Sequence, residues 1–422
     1  MSSSKIKIKK ITAREILDSR SQPTIEACVI LSDGTKAIAS VPSGSSIGTH
    51  EAFEFRDGDS KRYFGRGVLR AIRKIEEIIA PELKGQDIFA QKEIDDKLIA
   101  LDGTAKKTNL GANTILAVSL ACARAGALAK KQELFTYLQD TFSFSKPTIP
   151  VPLFNIFNGG KHADTNLDFQ EFLVIPKRSS AKEMVQIGAE IFRALGAELK
   201  SADYDTDVGI EGGYAPDLDS SIEALELIIA GALRAGYDPK KDFYLGIDVG
   251  SSVLYEAESN HYVFSLDQSY FTTDNLIGLY ESWLRKYPII YLEDGLAEDD
   301  WEGWRGLTAD LGDNMLIVGD DLFVTSTDRL RRGLKEKAAN AIIIKPNQVG
   351  TLSEAVDCIK LAKKHDYQVI ISHRSGETND DFIVDLAVAC GAEYLKAGSL
   401  SRGERVAKYN RLMEIEDLLS KK

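Results

Sequence analysis

Cysteine is scarce and scattered in this chain: its four copies, Cys28, Cys122, Cys358 and Cys390, stand far apart and form no Cys-x-x-Cys pair. That argues against a disulfide framework and for reduced thiols, as in a cytosolic protein. Positive charge is in deficit too, with 52 Lys and Arg against 64 Asp and Glu, a net charge of −12 and a pI near 5.1. Nucleic acids and anionic membranes need a basic face, so neither is expected as the main partner. An anionic ligand would need local cations or a metal. The opening MSSSKIKIKK has charge but no apolar signal core, and no unbroken apolar run nears the roughly 18 residues of a membrane span. A cytoplasmic protein is the expectation. No period of 20 to 50 residues recurs, which excludes a solenoid. The loop SGSSIGTH (43–50) lacks the Gly-Lys-Ser/Thr ending of a phosphate-cradling loop.

What is present is ordinary for a globular protein, 44% hydrophobic and 27% charged residues over a length of 422 that suits two domains. Residues 6–11, 24–31 and 37–41 read as an antiparallel meander with short turns, ended by Pro42. Residues 67–80 carry Val68, Ile72, Ile75 and Ile79 on one helical face, with Pro81 expected to stop the helix. A second helix is expected over 90–101. Residues 112–131, alanine-rich and nearly uncharged at first, predict a buried helix. The proline-bearing stretch 142–152 is the best linker, placing the boundary between a domain of residues 1–142 and one of 143–422. Ser220-x-x-Glu223 and Thr351-x-x-Glu354 read as capping boxes.

The second half repeats one design. IIYLEDG (289–295) is an apolar run ending in two acids and a glycine, and FYLGIDVG, MLIVGDD, AIIIKPN, QVIISHRSG and EYLKAG end in Asp248, Asp320, Lys345, His373 with Arg374 and Ser375, and Lys396. Such runs suit strands buried on both faces. Helix-length segments between them make the class α/β, either a doubly wound sheet or a barrel, and both gather ligands at the strands' carboxyl ends. Any one of Asp248, Glu293 and Asp320 reads as a helix cap or salt-bridge partner. Three on separate strand ends cannot all stay ionised unless a hard divalent cation neutralises them, and oxygen ligands favour magnesium or manganese over zinc. Lys345, Arg374 and Lys396 add cations, and a lysine so placed is expected to have a depressed pKa and to serve as a base near neutral pH. Together they predict proton abstraction beside a carboxylate, with a phosphate or second carboxylate also bound.

Ten motifs in order then carry a resemblance along the whole chain: AREILDSR (13–20), EAFEFRDGD (51–59), NGGKHAD (158–164), DFQEF (168–172), EGGYAP (211–216), LEDGL (292–296), GDDLFVT (319–325), IKPNQVGTL (344–352), SHRSGET (372–378) and KAGSLSRGERVAKYN (396–410). The sequence resembles the enolases. The resemblance implies a smaller α+β domain before an eight-stranded β/α barrel with an antiparallel start. It implies the reversible dehydration of 2-phosphoglycerate to phosphoenolpyruvate in glycolysis and gluconeogenesis, with two Mg²⁺ per active site. Asp248, Glu293 and Asp320 would bind the first ion, and Ser46, in a closing lid, the second. Lys345 would be the base and Glu211 the acid. Arg374 and Ser375 would hold the phosphate, Lys396 would support the carboxylate, and His162, Gln170, Glu171 and His373 would line the pocket. The expected partner is a small phosphorylated substrate, with no nucleic acid and no membrane, and the expected assembly is a homodimer or higher homo-oligomer.

Several positions depart from the family's pattern: Ile210 for aspartate, Ser45 and Ile47 for alanine and threonine, Ser21-Gln22 for Gly-Asn, and Pro346 after the base. A racemase or sugar-acid dehydratase of the wider superfamily would show a Lys-x-Lys pair on an early barrel strand, which 171–177 lacks. A non-catalytic scaffold or surface-binding protein on the same fold would tolerate loss of Lys345, Glu211 or the metal acids, yet all are present.

Overall fold

The computed structural model describes residues 6–44 and 48–421. The chain divides into two compact units, the first formed by residues 1–148, 344–360 and 373–392, the second by 149–343, 361–372 and 393–422.

In the first unit, β1 (Ile8–Leu17), β2 (Pro23–Leu31) and β3 (Lys36–Ser40) form the expected antiparallel meander. Ile25, Ala27, Val29 and Leu31 alternate onto one fully buried face, as strand periodicity dictates. The helix Ala112–Lys130 packs on β2 and β3. By length and composition alone it could cross a membrane, with a mean hydropathy of 1.4, but it is 83% buried inside the protein, as the sequence led one to expect. Alanines raise the mean without any long unbroken run of bulky residues. Pro81 also behaves differently from expectation. The helix Leu69–Lys74 widens into a π-turn at Ile75–Ile79, where Ala80 N bonds Ile75 O, and continues through Ala80–Leu83. Proline lacks an N–H and its ring collides with the preceding turn of a regular helix; widening that turn opens space for it.

The second unit is a closed barrel. Its strands are β4 (Val151–Asn158), β5 (Glu171–Pro176) and β6 (Phe243–Asp248), then, after a small surface sheet of β7 (Tyr255–Glu256), β8 (His261–Phe264) and β9 (Ser269–Phe271), the strands β10 (Ile289–Glu293), β11 (Leu316–Gly319), β12 (Ala341–Ile344), β13 (Gln368–Ser372) and β14 (Tyr394–Lys396). β5 runs antiparallel to both β4 and β6. The pairs β6–β10, β10–β11, β11–β12, β13–β14 and β14–β4 are parallel. This resolves the choice left by the sequence in favour of a barrel. Leu153, Leu173, Ile175, Tyr291, Val318, Ala341, Ile343 and Ile370 fill its interior, so it is a packed core and not a pore. Ser220 caps the helix Ser221–Arg234 by accepting from Glu223 N. The reciprocal bond is shifted by one residue, because the Glu223 carboxylate accepts from Asp219 N at 2.8 Å.

Candidate active site

Strand periodicity explains which side chains reach the mouth of the barrel. Residues two apart share a face, and counting on by two from interior positions leads to functional groups. Leu153 leads to Asn155, Leu173 back to Glu171 on the reversed strand, Tyr291 to Glu293 and Val318 to Asp320. Gly246, whose absent Cβ would meet Tyr291 and Ile175, leads to Asp248. Tyr394, packed against the same core, leads to Lys396.

Lys396 is the hub of this group. Its Nζ donates to Asp248 Oδ2 at 2.8 Å and to Glu293 Oε2 at 2.7 Å, and lies 3.3 Å from Glu171 Oε1. All four residues are at most 3% exposed. From the core below, Tyr291 donates its hydroxyl to Glu293 Oε2 at 2.6 Å. One ammonium among three buried carboxylates leaves negative charge in excess. Burial and the Asp248 charge accordingly push Glu293 well above the ordinary carboxylate range, against the pull of Lys396, with Asp320 adding to the rise. Burial would lower Lys396, but Asp248, Glu171 and Glu293 together hold it well above its usual value. Glu171 is pushed up to about 7, by burial first, with Lys396 opposing and Glu211 adding.

A second cluster adjoins through Glu171. His162 Nδ1 lies 3.4 Å from Glu171 Oε1 and 3.6 Å from Glu211 Oε2, and all three residues are buried. Burial works against the imidazolium, yet the charges of Glu211 and Glu171 raise His162 above its ordinary value. Asn155 Nδ2 donates to Glu211 Oε2 at 3.1 Å. The Gln170 side chain occupies the place where a Cβ on Gly250 would stand. Asp320 also groups with Asp294 and Asp321, with one carboxylate oxygen of each within 4.8 Å of the others. Asp294 accepts from the N–H groups of Asp320 and Asp321, both at 2.9 Å.

The remaining expected residues belong to the first unit. Lys345 directly follows β12, in extended conformation at the start of a short 3-10 turn, and its carbonyl accepts from Gln348 N at 2.9 Å. Arg374 donates to Glu51 through both Nη atoms, at 2.8 and 3.1 Å, and to Asn347 Oδ1 at 3.2 Å. Glu51 Oε1 also accepts from Gly48 N at 3.0 Å, so one buried carboxylate fixes both a guanidinium and the end of the 43–50 loop. Arg20 reaches Ser375 Oγ at 3.4 Å and Ser43 Oγ at 2.8 Å, and Ser43 and Gly376 exchange backbone bonds of 2.8 and 2.9 Å. His373 is buried in the same segment. Ser46 lies outside the described residues. Sequence reasoning assigned no role to Asn155, Glu51 or Asp294. For Asn155 the available signal was a polar residue at an interior position of an otherwise apolar strand.

The acid group fits a divalent cation. Among the described residues, the buried atoms Asp248 Oδ1, Glu293 Oε1 and Glu171 Oε2 have no hydrogen-bond partner, an arrangement costly for carboxylates unless a cation completes it. The donors are all oxygen, which suits magnesium. Two family models match the chain: the enolase C-terminal TIM barrel domain over residues 146–422 and the enolase N-terminal domain over residues 8–138.

Proposed function

The chain belongs to the enolase family, and from that premise we propose that it reversibly dehydrates 2-phosphoglycerate to phosphoenolpyruvate with magnesium. The observation that carries the reading is the buried set of Asp248, Glu293 and Glu171 around Lys396, with oxygens left unpaired at the barrel mouth. Asp248, Glu293 and Asp320 would hold one ion and Ser46 a second, and bound magnesium would supply Lewis-acid stabilisation of the substrate carboxylate as it gains charge.

The chain's own groups divide the reaction. Lys345 takes the proton from C2, and the electron pair of that bond becomes the C2–C3 double bond. The C3–O bond breaks, and Glu211 gives its proton to the departing hydroxyl, which leaves as water. Lys396 lies beside the substrate carboxylate and favours its developing charge. Arg374 and Ser375 hold the phosphate, and His162, Gln170, Glu171 and His373 line the pocket. The direct test is the absorbance of phosphoenolpyruvate formed from 2-phosphoglycerate, with and without magnesium. Asp320→Ala should abolish turnover, since the two acids that remain would hold an ion only loosely and off centre. Full turnover after exhaustive chelation would sink the metal assignment. Lys345→Ala should lose both dehydration and exchange of the C2 proton with heavy water. Glu211→Gln should lose dehydration by roughly the 10² to 10⁴ of a general acid while retaining exchange, and loss of both with the fold intact would refute its role.

A further inference from the structure

Asn155 is a fully enclosed amide that the roles above leave unused. Its N–H donates to Gly398 O at 3.2 Å, and its Nδ2 donates to Glu211 Oε2 at 3.1 Å. Its Oδ1 takes no hydrogen bond among the described residues. An unpaired amide oxygen is unfavourable in a protein interior, and an apolar side chain of similar size would avoid that cost. The amide is kept where it meets the Glu211 carboxyl.

The backbone is bent to make that meeting. β4 pairs with β5 through Asn155 opposite Leu173 and then Phe157 opposite Phe172, so Ile156 is an extra residue, a bulge in the ladder. Bulges redirect side chains and release backbone groups from pairing. The Ile156 carbonyl accepts from Tyr214 N at 2.8 Å, Asn158 N donates to Tyr214 O at 2.9 Å, and Asn158 Oδ1 accepts from Gly213 N at 3.0 Å. These bonds fasten the turn that carries Glu211 to the bulged strand. Gly213 belongs to the fit, because a Cβ there would stand 2.7 Å from Asn155 Oδ1.

We propose that Asn155 is a positioning residue for Glu211, fixing the carboxyl through the Nδ2–Oε2 bond and so serving only departure of the C3 hydroxyl. The inference rests on the reading of Glu211 as the acid. Without the amide, the carboxyl loses the restraint of this bond and is drawn toward His162 Nδ1, already 3.6 Å from Oε2, so that its proton is misdirected. Lys345 lies in a different segment and its proton abstraction does not depend on that rotation.

The experiment uses full-length Asn155→Leu and Asn155→Asp with saturating magnesium, and measures two rates on 2-phosphoglycerate. Phosphoenolpyruvate formation reports the complete reaction, and C2 exchange in heavy water, followed by proton NMR, reports the first half. Both variants should lose dehydration by roughly tenfold to a hundredfold, less than the acid itself contributes, while exchange stays within about threefold of wild type. A purely structural defect would lower both rates together. The aspartate variant keeps the volume of the side chain, exchanges the amide donor for a carboxyl and adds a negative charge beside Glu211, a change still confined to the acid's side of the reaction, so it provides the measurement if the leucine variant does not fold. Equal loss of both rates, or no loss of either, overturns the positioning role while leaving the functional reading in place. A wild-type protein inactive in both assays overturns the functional reading and this inference with it.

Discussion

Glu293 and Asp294 are adjacent in sequence and differ in duty. Glu293 ends a strand on its interior face and meets Lys396, whereas Asp294, at φ 43°, turns back to accept from the Asp320 and Asp321 N–H groups. Burial and the charges of Asp321 and Asp320 hold Asp294 well above the ordinary carboxylate range. An apolar run ending in two acids announces a strand end, but the sequence cannot say which acid turns, because a backbone dihedral beyond the strand decides it. Ser21 is a similar case. The turn 18–22 is held by Asp18 Oδ1, which accepts from Arg20 N at 2.8 Å and Gln22 N at 2.9 Å. Within it Ser21 has φ 59°, the left-handed conformation that favours glycine. The departure from the family's glycine therefore has a backbone cost. Ser21→Gly should stabilise the protein by about 0.5–1 kcal/mol, as relief of the roughly 1–2 kcal/mol of strain outweighs the added freedom of the unfolded chain. Urea denaturation of the two proteins checks this, and a destabilised glycine variant would contradict it.

At the scale of elements, helix and strand existence was legible because apolar periodicity records burial. Connections between helices were not. Asp95, on the helix Gln91–Asp102, binds two other segments of its unit: Oδ2 accepts from Ser353 N at 2.9 Å and Ser353 Oγ at 2.6 Å, while Oδ1 accepts from Ser119 Oγ at 2.7 Å. Gln91 Nε2 adds a bond of 3.1 Å within the helix. Burial outweighs these donors and raises Asp95 to about 6, from a model-compound value of 3.8. The folded protein thus holds this proton more tightly than the unfolded chain does. Its contribution to stability is largest below about pH 4 and falls as pH rises to about 6, by about 3 kcal/mol in all. Asp95→Asn removes the titration, though its amide cannot accept from every donor. The stability difference between variant and wild type should therefore move in the variant's favour by up to about 3 kcal/mol between pH 4 and pH 7. Urea titrations at several pH values measure it, and a constant difference would show that Asp95 does not titrate in that range.

For the whole molecule, six apolar runs ending in charge pointed to an α/β core with acids and bases at its strand ends but left a doubly wound sheet and a barrel both open. The barrel entered through the family resemblance, and it is the architecture observed. The composition of the first unit could not be read. Residues 344–360 and 373–392 cluster with 1–148, yet nothing in their periodicity distinguishes them from ordinary loops and helices following barrel strands. Their contacts within the unit are specific. Ser353 supplies two of the Asp95 bonds. Arg124 pairs with Asp380 through bonds of 2.8 and 2.9 Å and with Asp381 at 2.7 Å. Asp385 accepts from Phe135 N at 3.0 Å, in the first turn of the helix Leu134–Phe142, and the helix Phe382–Cys390 packs against that same helix with Val384, Leu386 and Val388 buried. A fragment of residues 1–148 loses all of these partners at once. Each buried polar group left unpaired costs about 1–3 kcal/mol, and each large apolar side chain no longer buried about 1.5–3 kcal/mol. Several such losses exceed the 5–15 kcal/mol that typically holds a domain together. The fragment should therefore show no cooperative thermal transition and a weak near-ultraviolet circular dichroism signal, although helical far-ultraviolet signal persists. In the full-length protein, Asp385→Ala should cost about 1–3 kcal/mol by removing the buried carboxylate that accepts from Phe135 N. A fragment that melts cooperatively with an intact near-ultraviolet spectrum would show that residues 1–148 fold by themselves, and that the two later segments are only laid against a finished structure.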